Sequence, residues 1–264
     1  MMGRFVLLKK QDLEELDTPT TTWVIPDLLA PDVPTVFVGP PGAGKSTLVL
    51  DLMMALQNGV AFPLPEDDTQ PSIREPMGTA WLTFESGGAT EFKSRLALRP
   101  REYESPSVVH LKDESPFGQA HPLKLSEGPQ SQASFLSVQQ TQAWQDLGYE
   151  LQQNSVKFLV IDSIGDLTPV ESRDGHVRAC FDLLNNFNQK FGVTPCLIAH
   201  SSAHANLYGQ GKREILGATA WEARSRHVVF VSGNSREAYA SVQKSNIGET
   251  GVNFSFHLID GGPV

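Results

Sequence analysis

An α/β domain with a mostly parallel central sheet flanked by helices, and with antiparallel strands at its C-terminal end, is the fold class that the 264-residue sequence predicts. Three observations predict it. Short β-branched and aromatic runs alternate with helical patterns along most of the chain, as consecutive βαβ units do. One of those runs opens directly into a glycine-rich turn followed by a helix. The final runs are instead separated by short Gly-containing turns, the mark of strands joined as hairpins.

Residues 1–34 read as a lead-in, with a short helix around "KKQDLEELD" and then "TPTTTWVIPDLLAPDVP", whose prolines and threonines oppose a regular element. "TVFVG" (35–39) is the first strand, and "PPGAGKSTLVLDLMMALQNG" places Leu48, Leu52, Ala55 and Leu56 at helical spacing before stopping at Asn58-Gly59. Residues 62–78 are proline-rich and acidic, which predicts a surface excursion. Further strands are expected at "TAWLTF" (79–84), "SVVHL" (107–111), "VKFLVI" (156–161) and "TPCLIAH" (194–200). Helical patterns fall at Ala89 to Leu98, Val138 to Gln153 and Val177 to Phe191, with a second excursion at 112–137. "RHVVFVSGN", "EAYASVQKSN" and "VNFSFHLID" supply the closing hairpins. The length suits one large domain spanning 1–264.

Composition removes several classes of function. A net charge of −9 and a pI near 5.2 oppose a surface that is basic all round, so any nucleic acid must be held by a local cluster. Cys180 and Cys196 are the two cysteines, and neither sits in a CxxC or Cys/His cluster, which opposes a disulfide scaffold and a zinc site. No apolar run approaches the roughly 18 residues of a membrane span, and the apolar stretch in "RFVLLKK" is too short for a signal peptide. The expectation is a soluble, unexported, cytoplasmic protein with no membrane partner.

"GPPGAGKST" fits GxxxxGK[ST] at Gly39, Gly44, Lys45 and Ser46, with Pro41, Gly42, Ala43 and Thr47 completing the turn. Glycines are needed because successive backbone N–H groups must converge on phosphate oxygens that Cβ atoms would obstruct, while the helix N-terminus adds positive potential. Lys45 is then expected to reach the β- and γ-phosphates of ATP, and Ser46 to ligate Mg2+. The second metal-side oxygen is expected from Asp162, which ends the apolar run "FLVI" in "KFLVIDS".

A phosphate loop serves both kinases, which pass phosphate to an acceptor, and hydrolysing motors, which need a base to orient water. Glu85, at the end of "WLTFES", is the candidate base. The other reading is a strand end emerging into solvent. Several strands separate 35–38 from Asp162 in sequence, so others can lie beside these two in the sheet, and Glu85 would then share their C-terminal edge, where open α/β sheets bind ligands.

With these residues in place the sequence resembles the RecA-like ATPases, and within them the hexameric plasmid-replication helicases of the RepA type. The similarity runs from "WVIPDLL" to "KSNIGE" through "WVIPDLLAPDVPTVFVGPPGAGKST", "WLTFES", "LVIDS", "LIAHSS", "GATAWEARSR" and "VQKSN". The resemblance implies a catalytic role for Glu85, a phosphate-facing Arg95, a γ-phosphate sensor in His200, and an arginine finger in Arg226 reaching a neighbouring subunit's site. Lys244 would be a second cation of that intersubunit edge. Arg224 competes with Arg226 through its placement two residues earlier, on the same face if both lie on one strand. Surface or strand-end readings stay open for Arg95, His200 and Lys244. Departures from the family pattern are Ala199 in place of a first histidine, Ala203 in place of a lysine, and Leu216 in place of an arginine.

The resemblance further implies a homo-oligomer, a hexameric ring, with segment 201–215 facing a central channel. That segment carries His204, Tyr208, Lys212 and Arg213, cations and an aromatic suited to single-stranded DNA, although an ordinary polar loop has the same composition. The implied function is Mg-dependent ATP hydrolysis coupled to DNA translocation, as helicase or recombination ATPase; the alternative is a regulatory or assembly ATPase that ignores nucleic acid. Ser163, Asp166 and His176 are triad residue types, but no GxSxG turn surrounds a serine.

Overall fold

A computed structural model of the chain describes residues 23–62, 75–84, 88–99, 101, 103–109, 123, 138–167, 174–201, 219–233 and 237–257. The strands are β1 (Thr35–Gly39), β2 (Gly78–Thr83), β3 (Ser107–Val108), β4 (Val156–Asp162), β5 (Thr194–His200), β6 (His227–Gly233), β7 (Glu237–Ser245) and β8 (Asn253–His257). The helices are α1 (Lys45–Asn58), α2 (Gly88–Leu96), α3 (Val138–Gln153), α4 (Ile164–Leu167), α5 (Asp174–Phe191) and α6 (Thr219–Arg224). The expected helix at "KKQDLEELD", the interior of the first excursion and nearly all of the second lie outside the described residues.

One eight-stranded sheet has the order β3-β2-β4-β5-β1-β6-β7-β8. The pairs from β3 across to β6 are parallel, and β6-β7 and β7-β8 are antiparallel, as the sequence predicts for the closing hairpins. Strand β3 is shorter than expected, although the Val109 N–H still donates to the Trp81 carbonyl at 2.9 Å.

The central strands are apolar on both faces because helices cover both. On one face Val36, Val38, Leu159, Ile161, Leu197 and Phe230 pack with Trp144, Phe181, Leu184, Phe187 and Trp221 of α3, α5 and α6. On the other, Phe37, Trp81, Phe158, Val160, Ile198 and Val229 pack with Leu48, Leu52 and Met53 of α1 and Phe92 of α2. Period-two alternation along each strand sends neighbours to opposite cores. Truncating a fully buried aromatic such as Trp81 in such a core costs about 3–5 kcal/mol.

The lead-in has no regular element at 23–34 beyond an isolated bridge between Ile25 and Leu29, as its prolines predict. It is nevertheless pinned to the sheet. The fully buried His227 donates from Nε2 to the Asp27 carbonyl at 3.0 Å, which leaves Nδ1 to accept from Ser245 Oγ at 3.2 Å, and Trp23 packs edge-on against the ring. Among the described residues no helix is long and apolar enough to cross a membrane.

Candidate active site at the C-terminal sheet edge

Register brings the expected residues to one edge. In the parallel pairings Gly39 lies opposite His200, Asp162 opposite Ile198, and Thr83 opposite Asp162. The strands β2, β4, β5 and β1 therefore end side by side, with β5 between the phosphate-loop strand and the Asp162 strand. Strand β2 neighbours β4 alone of that pair. Glu85 and the next two residues lie outside the described residues, but Thr83 and Phe84 lead to that edge.

The turn before α1 is built as the motif requires. Gly42 and Gly44 have φ of 74° and 82°, a left-handed conformation in which a Cβ is unfavourable. A Cβ on Gly39 would lie 2.0 Å from the Val231 carbonyl oxygen, so only glycine lets β1 turn beside β6. No side chain caps the N-terminus of α1, so its first backbone N–H groups keep their positive potential for an anion.

Lys45 is buried and curls back over the turn, where Nζ donates to the Gly39 carbonyl at 3.0 Å and the Pro40 carbonyl at 2.7 Å. Burial lowers its pKa to about 8, partly offset by the Asp162 carboxylate. Ser46 Oγ donates to Asp162 Oδ2 at 2.9 Å, joining residues 116 positions apart. Arg95 Nη1 stands 3.6 Å from the same oxygen, so the arginine expected to face the phosphates is at the site. Burial pushes the Asp162 carboxyl up, while Ser46, Arg95, His200 and Lys45 hold it down. His200, half-buried at the end of β5, is lowered by burial and by Lys45, against the raising influence of Asp162 and Asp166.

These residues fit Mg2+. Ser46 and Asp162 offer hard oxygen donors within reach of one another, the donor set that ion prefers. Among the described residues no group of three His, Cys, Asp or Glu converges. Both cysteines are buried, and burial raises their thiols far above the usual range.

The expected intersubunit cations lie together, away from the cradle. Arg224 ends α6 and Arg226 sits in the bend before β6, both exposed, so the two do not share a strand face as the sequence reading allowed. The reason is Ser225, whose buried hydroxyl donates to the Trp221 carbonyl at 2.6 Å and prolongs the helical turn up to it. Lys244, opposite Val228 on β7, donates to the Ala223 carbonyl at 3.0 Å and so caps α6. Its side chain is therefore engaged at this edge. His204, Tyr208, Lys212 and Arg213 lie outside the described residues.

The sequence reading missed three features. Ser163 Oγ donates to Asp166 Oδ2 at 2.5 Å beside the metal-side carboxylate. Ser201, one residue beyond β5, donates its N–H at 3.0 Å to the Gly39 carbonyl that Lys45 also uses. Arg99 is paired with Asp51 at 2.8 Å. No local pattern announces the last, because the burial of Arg99 and its partner 48 positions away are set by tertiary packing.

Comparison with known proteins agrees with this architecture. A family model described as "AAA domain" matches residues 4–206. The DNA repair protein RAD51 homolog 2 of Arabidopsis thaliana is 30% identical over 182 residues, covering 67% of this chain and 44% of its own length. The chain thus spans less than half of that curated relative. The crystal structure of the RadB recombinase superposes with a TM-score of 0.50 at 13% identity, covering 86% of this chain and 87% of that one. That likeness concerns the fold, a mostly parallel sheet with helices and antiparallel C-terminal strands.

Proposed function

The chain belongs to the AAA domain family, and from that premise we propose that it is an oligomeric RecA-like ATPase, Mg-dependent, acting on single-stranded DNA in recombination or repair. The observation that carries the reading is the meeting of Ser46 and Asp162 at 2.9 Å beside Lys45, because two oxygens and a cation at a helix N-terminus form a phosphate-and-metal site.

In this reading Gly42 to Thr47 hold the phosphates, and Lys45 leaves its two carbonyls for them. Ser46 and Asp162 would hold Mg2+, which when bound supplies neutralisation of phosphate charge. Glu85 takes the proton of the attacking water, and His200 reads the γ-phosphate and passes its state through Ser201 into the following segment. Arg226 and Lys244 act on a neighbour's nucleotide. The names of the relatives, a DNA repair protein and a recombinase, support recombination or repair as the setting. A cytoplasmic location and a hexameric ring are parts of the proposal, and a RepA-type helicase is its narrower form.

Phosphate release from ATP, measured with and without single-stranded DNA, tests the reading. We expect stimulation by DNA that falls severalfold when Lys212 and Arg213 are both changed to alanine. A Glu85→Gln variant should bind ATP and lose turnover by about 100-fold or more, on the scale of general-base catalysis. Wild-type turnover in that variant removes Glu85 from the mechanism. Turnover indifferent to DNA favours the regulatory or assembly ATPase, and ATP consumption only with an acceptor present favours a kinase.

A further inference from the structure

Arg95 reaches Asp162 from α2, a helix of nine residues, and a helix that short takes its position from tertiary contacts rather than from its own cooperativity. Two contacts on α2 are apolar: Phe92 packs 5.3 Å from the Trp81 ring, and Leu96 lies against the same core. The third is polar and buried. Arg99, 6% exposed, donates from Nε to Asp51 Oδ1 at 2.8 Å and from Nη1 to the Arg95 carbonyl at 3.0 Å.

Asp51 lies on α1, between one and two turns after Lys45 and Ser46. The contacts therefore close a circuit: Ser46 to Asp162, Asp162 to Arg95, the Arg95 backbone to Arg99, Arg99 to Asp51, and along α1 back to Ser46. A guanidinium presents its donors in a rigid fork, so one group binds the α1 carboxylate and the end of α2 in a set geometry. The carbonyl it takes belongs to the last turn of α2, where it also accepts from the Leu98 N–H at 3.4 Å. A buried ion pair contributes little net stability, because desolvation cancels much of its attraction. Its geometric effect is larger: it fixes the backbone from which the long Arg95 side chain starts.

We propose that Arg99, braced by Asp51, is a positioning residue that sets Arg95 against Asp162 and hence against the phosphates of a bound nucleotide. The inference rests on the ATPase reading above. Arg99 acts only through Arg95, which distinguishes it from a residue that merely stabilises the fold.

The test is steady-state ATP turnover by the full chain, with melting temperatures, for wild type, Arg99→Lys, Arg95→Ala and the double variant. Arg99→Lys keeps a charge for Asp51 and loses the fork. We expect its kcat to fall by about 10- to 100-fold, up to the effect that a misplacement of about 1 Å produces, with KM for ATP within about twofold and melting close to wild type. The double variant should be no slower than Arg95→Ala alone. Wild-type kcat in Arg99→Lys, or losses that multiply in the double variant, overturn the proposal. Should Arg99→Lys fail to fold, the paired exchange Asp51→Asn with Arg99→Gln, which removes both buried charges together, carries the same comparison. A wild-type chain that neither binds nor hydrolyses Mg·ATP overturns the ATPase reading and this inference with it, whereas wild-type turnover with multiplying losses overturns this inference alone.

Discussion

With its ammonium folded onto the Gly39 and Pro40 carbonyls, Lys45 occupies a buried position that lowers its pKa to about 8 from an ordinary 10.5. Below about 8 it is charged both with and without nucleotide, so its own contribution to ATP affinity is flat in pH there. Above that value the free protein holds a neutral amine while phosphate oxygens favour the ammonium, so binding takes up a proton. The affinity of a fluorescent ATP analogue should therefore fall as pH rises from about 8, approaching about tenfold per pH unit, and a Lys45→Arg variant, always charged, should lack that slope. The same depression has the opposite sign for stability. Between about 8 and 10.5 the unfolded chain binds more protons than the folded one, so the empty protein gains stability as pH climbs through that window. A wild-type slope equal to that of the arginine variant excludes the buried-lysine account.

At the scale of elements, local pattern and packing separate what was readable from what was not. The strands at 35–39, 156–162 and 194–200 and the helix Val138–Gln153 were legible because apolar runs and helical spacing are local properties. Strand order was not, since it depends on crossovers: β5 sits between β1 and β4, and no residue in "TPCLIAH" announces that. The cradle was legible because it is one contiguous turn. The Asp51–Arg99 pair joins residues 48 positions apart and shows no pattern in the chain. Gly148 illustrates the same division. In the interior of α3 propensity alone favours Gly148→Ala by about 1 kcal/mol, but a Cβ there would lie 2.3 Å from the Phe191 ring, itself wedged between Tyr149 and Phe187. Overpacking costs about 1–3 kcal/mol, which outweighs the propensity gain by up to about 2 kcal/mol, so the variant should melt a few degrees below wild type in thermal unfolding. A rise in melting temperature would mean that the ring has room to move.

Among the described residues the candidate cations fall in two places. Lys45 and Arg95 face Asp162, while exposed Arg224 and Arg226 and the engaged Lys244 gather where α6 meets β6 and β7, on a molecule whose net charge is −9. In the proposed assembly this second group completes a neighbour's site, and a heterologous interface of that kind closes into a ring or extends as a filament. Turnover per subunit should then rise with protein concentration and level off once assembly is complete. A mixing experiment tests the division of labour directly. Lys45→Ala retains Arg226 and spoils its own cradle; Arg226→Ala retains the cradle and spoils its neighbour's. Each alone should be nearly inactive, since trans arginines are worth about 10³–10⁵ in rate. Equal mixtures assemble interfaces at random, and about a quarter of them pair an intact cradle with an intact finger, so activity should return to about that fraction of wild type. Repeating the mixture with Arg224→Ala in place of Arg226→Ala asks which arginine acts: the variant that is inactive alone and rescued by mixing is the finger. Mixtures that stay inactive at concentrations where assembly is seen by light scattering exclude a shared site, and the cations at the end of α6 then serve some surface other than a neighbour's nucleotide.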